Sequence, residues 1–383
     1  MRIVVRAHDA RVARDAQTLL AAAGIEAAAL AGPFRAAPDG EDLTVLPDAP
    51  GAIELAAQVA ALEHPPLARL LGSRMAQPPA LGLTGIEGFS GAMALDAPPK
   101  LLAAQMEAWR RVAIAEEERA RRAGTAVQLD APAPSALEPR KLKALYIGAP
   151  SSMFLALERV LAEQGGLVAA AFSSYAGFDH LHDEPFDAVV LNGAQDAQTA
   201  ISLCAALRRN ATLYHLPTMV VTAPGDAATA AASIERGASA ITEANAPYGP
   251  SLGWLFEAVR RERRRRAAEH EIRALRDLMG DPRTGLWQRT PFDAHLARLA
   301  ADHHASGRPL SLAVLRVMPA HGAREPAEDV WKRGFNEIAS LAGRLMRDAD
   351  CGAILGGDLI AVALPAARLK SAKRTAERIA SVA

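Results

Sequence analysis

Residues 1 to 262 carry one plan twice. Each copy opens on a short apolar strand, alternates strands with helical segments and ends in a long charged helix. Those two final helices hold Trp109 with Arg110 and Arg111, and Trp254 with Arg260 and Arg261, in similar places. The repeat is about 120 residues, too long for a solenoid unit and the size of a whole domain. The first copy has strands "RIVV", "IEAAAL", "DLTVL" and "GAMAL"; the second has "KALYIG", "LVAAAF", "DAVVL", "PTMVVTA" and "SAIT". Buried apolar runs alternating with helices predict parallel sheets covered on both faces, hence two doubly wound α/β domains. In the second copy Ser151 or Ser152 suits an N-cap and Gly165-Gly166 a helix stop.

The boundaries follow from where this pattern lapses. Residues 1–122 form the first domain, and the Pro/Ala-rich stretch 123–140 reads as a linker without periodicity. Residues 141–262 form the second domain, 263–280 continue its last helix as a connector, and 281–383 form a third domain. The connector lacks a Gly or Pro break, so it is suited to transmit rotation between domains. Its Arg263 to Arg266 block reads as a solvated helix face rather than a ligand-facing one.

With 43 basic and 43 acidic residues the net charge is zero, which argues against general affinity for nucleic acid or an anionic membrane. Cys204 and Cys351 fit neither a disulfide framework nor a zinc site and suit a reducing compartment. No apolar run reaches the roughly 20 residues that span a bilayer, and the N-terminus lacks the apolar core of a signal peptide. A cytoplasmic protein is expected.

The first two segments resemble receiver domains of bacterial response regulators, in strand order and in the "DAVVL" third strand. Residues 277 to 379 resemble a GGDEF domain: "DPRTGLWQRTPF" matches that family's opening signature, and "RDAD", "GGDLI" and "AERI" follow at the expected separations. The order receiver, receiver, GGDEF is that of PleD-like regulators, and with decayed motifs it most resembles the PopA-like cyclic di-GMP effectors. The resemblance implies two flavodoxin-like doubly wound receiver domains followed by a nucleotidyl-cyclase-like α+β domain.

Both receivers lack their chemistry. Phosphoryl acceptance needs an aspartate ending the third strand, an acidic pair for magnesium and a lysine after the fifth strand. Pro47 and Asn192 stand at the acceptor places, Arg6-Ala7 and Gly148-Ala149 replace the acidic pairs, and "LDAPP" and "ITEANAP" lack the lysine. Asp48 lies one residue past the acceptor place, where strand alternation aims it differently. Thr222 survives as the fourth-strand hydroxyl. Both units therefore read as pseudo-receivers whose remaining uses are dimerisation, docking and placement of the third domain.

The cyclase chemistry is lost too. Arg316 stands at the first metal aspartate with Met318 two places on, and a cation there repels magnesium. The loop that would bind phosphate and guanine is the shorter "PAHGAREPAEDVW". In the hairpin, Gly356 and Gly357 suggest a tight turn using positive φ, Asp358 keeps the third motif position, and Leu359 replaces the acidic fourth. The chain stops at Ala383, where the family continues with another strand pair and a helix.

What the resemblance leaves intact is its allosteric ligand site. Arg347 and Asp350 match the family's RxxD at the correct distance from Gly356. Arg378 matches the site's secondary arginine, and Arg374, one turn before it, a further contact. A guanidinium can donate to guanine O6 and N7 while a carboxylate accepts from N1–H and the exocyclic amine. Such sites usually take cyclic di-GMP as an intercalated dimer.

Other residues invite blander readings. His303 and His304 read as solvent-exposed, His180 and His182 lack a third metal ligand, Cys351 has no activating neighbour, and Asp358 serves the turn. The resemblance thus implies a non-enzymatic cyclic di-GMP receptor and signalling scaffold. It would be a homodimer through its receivers and recruit a proteolysis adaptor at a cell pole in cell-cycle control. It would need no cofactor beyond that ligand, no metal, no nucleic acid and no membrane insertion. The competing readings are a residual diguanylate cyclase and a ligand-free scaffold.

Overall fold

Strand β1 (Ile3–Ala7) is buried at all five positions, as is β3 (Leu43–Pro47). Strands apolar on both faces need helices on both faces, and a parallel sheet supplies that arrangement. In this computed structural model, which describes residues 1–32, 34–35, 37, 40–78, 87–135, 137–138, 140–319 and 326–382, the first domain has the order β2-β1-β3-β4-β5, all parallel. Its other elements are α1 (Ala10–Ala22), β2 (Ala28–Ala31), α2 (Ala52–Ala60), β4 (Ala68–Ser73), β5 (Gly91–Ala94) and α3 (Pro99–Gln128). Strand β4 escaped the sequence reading because its six residues include an arginine and a glycine among few apolar ones. Pairing between β3 and β5 is what makes it a strand.

The second domain repeats the order as β7-β6-β8-β9-β10. It comprises β6 (Lys143–Ile147), α4 (Ser152–Glu163), β7 (Leu167–Ala171), α5 (Ser174–Asp183), β8 (Ala188–Asn192), α6 (Ala197–Arg209), β9 (Thr218–Thr222), α7 (Ala227–Glu235), β10 (Ala240–Glu243) and α8 (Tyr248–Met279). Both sheets are flavodoxin-like and doubly wound, as expected. Ser151 is the N-cap residue of α4, but its hydroxyl bonds the Tyr146 hydroxyl (2.7 Å) instead of capping the helix. Gly165, at φ +66°, does end that helix, with its N–H on the Ala162 carbonyl at 3.0 Å.

Residues 2–112 and 138–264 form one compact unit, and residues 113–137 with 265 onward form another. In the first unit the two tryptophans of the repeat do the same job. Trp109 Nε1 donates to the Ala92 carbonyl (3.1 Å) and Trp254 Nε1 to the Met75 carbonyl (2.9 Å). Glu257 accepts from the Ala92 N–H at 3.0 Å. Gly91 permits this approach, since a Cβ there would lie 2.1 Å from the Trp109 ring.

The arginine block on α8 is not a solvated face. Arg261 and Arg264 lie over the Trp109 ring, 5.9 and 5.5 Å from its centroid, and burial pulls the Arg261 pKa down to about 10. Arg264 also bonds the Ser90 carbonyl, and Arg265 pairs with Glu269. Helical spacing alone could not separate this from exposure, because the aromatic partner lies in another repeat. Arg263 donates to Asp187 through Nε (3.1 Å) and Nη2 (2.8 Å), and Arg140 of the presumed linker joins it at 2.7 Å.

The second unit holds a three-stranded antiparallel sheet in the order β11-β13-β12. Its elements are α9 (Arg289–Ser306), β11 (Leu310–Arg316), α10 (Glu328–Leu345), β12 (Cys351–Ile354), β13 (Leu359–Pro365) and α11 (Leu369–Val382). One core includes Trp287, Phe292, Leu299 and Ala361; another includes Phe335, Ile360, Val362 and Ile379. The expected linker 123–140 is partly wrong: α3 continues to Gln128, with Thr125 and Ala126 buried in this unit. Ala and Thr hid that helix in a stretch that reads as structureless.

His303 also departs from expectation. It is buried, with Nδ1–H donating to the Leu299 carbonyl (2.9 Å) and Nε2 accepting from the Ala366 N–H (3.2 Å), so burial lowers its pKa. His304 is exposed.

Asp187 yields a test. Burial pushes its pKa up, but Arg263 and the Lys143 amide (3.0 Å) outweigh that and hold it below the ordinary carboxylate value. Its stabilisation is therefore complete above that ordinary value and lost as pH falls through the lowered one. Asp187→Asn should cost about 1.5–3 kcal/mol in urea unfolding at neutral pH. The gap from wild type should close in acid; a pH-independent gap would refute the ionic role.

Candidate functional site

In each of the two α/β domains, the strand ends where the resemblance expects acceptor and metal groups are closed by internal contacts. In the first, Arg6 makes a bidentate pair with Glu41 (3.0 and 2.8 Å) and donates to the Arg35 carbonyl (2.8 Å). Thr44 also donates to Glu41 at 2.7 Å, and Arg6 and Glu41 are both buried. Pro47 ends β3, and the exposed Asp48 follows with its N–H on the Gly72 carbonyl. In the second, the Asn192 amide donates to the Ala149 carbonyl at 2.9 Å while its oxygen accepts from the Ala194 N–H. A Cβ on Gly148 would sit 2.9 Å from Asn192, so glycine is what lets these two ends close. Thr222 is buried against the Thr242 carbonyl.

The hairpin between β12 and β13 is similarly occupied. Arg316, at the place where a metal carboxylate was expected, pairs with Asp358 at 3.2 Å. The Trp331 indole donates to the Gly357 carbonyl (3.0 Å), and the Val317 N–H to that of Asp358 (2.8 Å). Neither Gly356 nor Gly357 has positive φ, contrary to the sequence reading. The Leu355 N–H closes on the Leu359 carbonyl at 3.0 Å across a three-residue loop rather than a two-residue turn. Of the substituted loop 319–331, residues 320–325 lie outside the described residues.

Arg347 and Asp350 do come together. Asp350 accepts from the Arg347 N–H at 3.0 Å and returns its own N–H to the Arg347 carbonyl at 2.9 Å, which forms a closed turn between α10 and β12. The Arg347 guanidinium makes no hydrogen bond among the described residues. Both residues line a cavity of about 180 Å³ within the second compact unit. Burial raises the Asp350 pKa above the usual carboxylate value, against the Arg347 amide and the charges of Arg347 and Arg122.

Arg378 reaches the Leu345 carbonyl (2.8 Å) at the end of α10, while Arg374 is exposed; neither lines the cavity. Their i, i+4 spacing placed them on one helix face but could not say what that face meets.

Sequence reasoning missed Arg122, Arg273, Arg276, Arg344 and Trp287, all of which line the cavity. Arg122 is fully buried. It pairs with Glu118 (2.8 Å), donates to the carbonyls of Asp348 (2.8 Å), Asp350 (2.9 Å) and Ile272 (3.3 Å), and lies 5.5 Å from the Trp287 ring centroid. The Trp287 indole N–H is buried without an acceptor among the described residues. Only the apolar spacing of "EIRALRDLM" hinted that Arg273 and Arg276 flank a packed helix face. Cys351 also lines the cavity, its thiol pushed up to about 12 by burial and hence inert. No cluster of metal-ligating side chains occurs among the described residues, and no described helix is long and apolar enough to cross a membrane.

These features define two flavodoxin-like α/β domains whose strand ends are tied by internal hydrogen bonds, and a small antiparallel domain with an arginine-lined cavity. Neither a protein-family model nor a curated protein matches the chain. Among solved structures it is similar to a response regulator receiver domain protein from Clostridium thermocellum, at 18% identity over 32% of this chain and 97% of that one, with a TM-score of 0.29. It is also similar to a protein assigned as a two-component system response regulator/GGDEF domain protein, at 14% identity over 68% and 98% of the two chains, TM-score 0.27. A third similarity is to the E. coli RcsC C-terminus, containing a linker region and a phosphoreceiver domain, at 15% identity over 69% and 94%, TM-score 0.26.

Since Pro47 and Asn192 offer no nucleophile, a small-molecule phosphodonor with magnesium should leave the intact mass unchanged. A stable single phosphoryl adduct would overturn the pseudo-receiver reading.

Proposed function

We propose that this protein is a non-catalytic cyclic di-GMP receptor of the PopA-like kind, a signalling scaffold whose input is ligand bound at Arg347 and Asp350. The observation that carries this reading is asymmetric change. The metal position is an Arg316–Asp358 ion pair, whereas the Arg347 guanidinium and one Asp350 oxygen keep free hydrogen-bonding capacity beside a cavity. The guanidinium suits O6 and N7 of guanine, and the carboxylate suits N1–H and the exocyclic amine. Arg378, which holds the end of α10, is the outer member of the proposed site.

The rest of the proposal follows the resemblance. The pseudo-receivers serve as a homodimerisation and docking platform, and the loaded protein recruits a proteolysis adaptor at a cell pole in cell-cycle control. Light scattering at tens of micromolar, roughly the weak-affinity range, should report a dimer; a monomer would remove that part.

Parallel calorimetric titrations with cyclic di-GMP and GTP test the core. Cyclic di-GMP should bind, and GTP with magnesium should yield no product; steady conversion would instead make the protein a diguanylate cyclase, and no heat a ligand-free scaffold. Arg347→Ala should cost about 1–3 kcal/mol, one to two decades in affinity, while Asp358→Ala should do little. Because the ionised Asp350 accepts guanine protons and its pKa is raised, affinity should fall on acidification from above the ordinary carboxylate range. Affinity flat across that range would count against the Asp350 contact.

A further inference from the structure

We infer that Arg273, Arg276 and Arg344 form the anion-holding arm of this cavity and bind the phosphodiesters of the cyclic dinucleotide, a role Arg374 does not share. The inference rests on the cyclic di-GMP reading and adds the part of the site that holds charge. A cavity of about 180 Å³ is smaller than the roughly 300–1,000 Å³ that enclose a drug-sized ligand. It suits a single base, which leaves the ribose-phosphate ring at the mouth, where charged side chains must meet it.

The cavity lining is unbalanced: five arginines stand against the carboxylates Asp348 and Asp350. Arg122 is fully engaged by Glu118 and three carbonyls, so it contributes position rather than contact. Arg347 belongs to the guanine edge. The remaining three are loosely held. Arg273 meets Asp348 only at 3.5 Å, with both side chains well exposed. Arg276 pairs with its chain neighbour Asp277 at 3.0 Å, again near solvent. Arg344, in the last turn of α10, makes no hydrogen bond or ion pair among the described residues. Such surface pairs contribute little and exchange readily for a stronger anion.

Arg273 and Arg276, three residues apart on α8, present their guanidinium groups from one helix face. A phosphodiester can then take parallel N–H donors from a planar fork, the geometry in which arginine surpasses lysine. Arg374 lies outside the lining, and Arg378 has one nitrogen on the Leu345 carbonyl.

The test is a calorimetric titration of the full chain with cyclic di-GMP at low and high salt. The panel is wild type, Arg273→Ala, Arg276→Ala, Arg344→Ala, Arg344→Lys, Arg347→Ala and Arg374→Ala. Each of the first three alanine variants should bind about tenfold more weakly, the loss of one charge-assisted hydrogen bond. Their salt dependence should be shallower than that of wild type. Arg344→Lys should recover part of the loss, Arg374→Ala should bind as wild type does, and unchanged ligand-free melting should show that the fold is intact. Wild-type affinity and salt dependence in all three, alongside a loss in Arg347→Ala, would overturn this inference and leave the receptor reading standing. A loss confined to Arg374→Ala would overturn it as well. Absence of binding by wild type would remove the receptor reading and this inference with it.

Discussion

The architecture of the cavity depends on a buried guanidinium. Arg122 is buried near the end of α3, and a bare cation there would cost several kcal/mol. Its ion pair with Glu118 and its bonds to three carbonyls offset that cost, and two of those carbonyls belong to the turn that presents Arg347 and Asp350. Glu118 is tied in turn to His295 Nε2 at 3.1 Å, and His295 Nδ1 lies 3.1 Å from the Thr125 hydroxyl. Burial would raise the Glu118 pKa, but Arg122 and His295 hold it below the ordinary value. One oxygen of Glu118 still lacks a hydrogen bond among the described residues, so the network leaves little slack for losing a member.

The same logic closes the strand ends at which the resemblance expects metal or acceptor carboxylates. Where a cation stands at such a place, a nearby carboxylate is its partner: Arg6 takes Glu41 and Arg316 takes Asp358. Asn192 satisfies both of its ends on backbone groups of the loops around it. Loops tied in this way have their polar groups satisfied internally.

Several readings hold because they depend on local spacing. The two sheets follow from apolar runs such as "RIVV" and "DAVVL", alternating with helices, which parallel sheets covered on both faces bury. That Pro47, Asn192 and Arg316 carry no carboxylate is read directly from residue type. The turn joining Arg347 to Asp350 is legible from spacing: three residues is the reach of one turn.

What the residues alone could not reveal are pairings between distant segments. The Arg263 to Arg266 block reads as an exposed helix face until Trp109, about 150 positions earlier, is found beneath Arg264. His303 sits in a polar stretch and is buried because Ala366 offers it an N–H. The helical spacing of Arg374 and Arg378 was visible, but whether that face meets the cavity was decided by how α11 packs on the sheet. Arg122 looks like one more charge in "EEERARR" until the chain brings residues 348 to 350 within its reach. The sequence by itself determined most of the elements and their periodicity, because these are properties of neighbouring residues. The tertiary structure decided which charges are buried, which are paired and which face a cavity, because those depend on partners that no local pattern encodes.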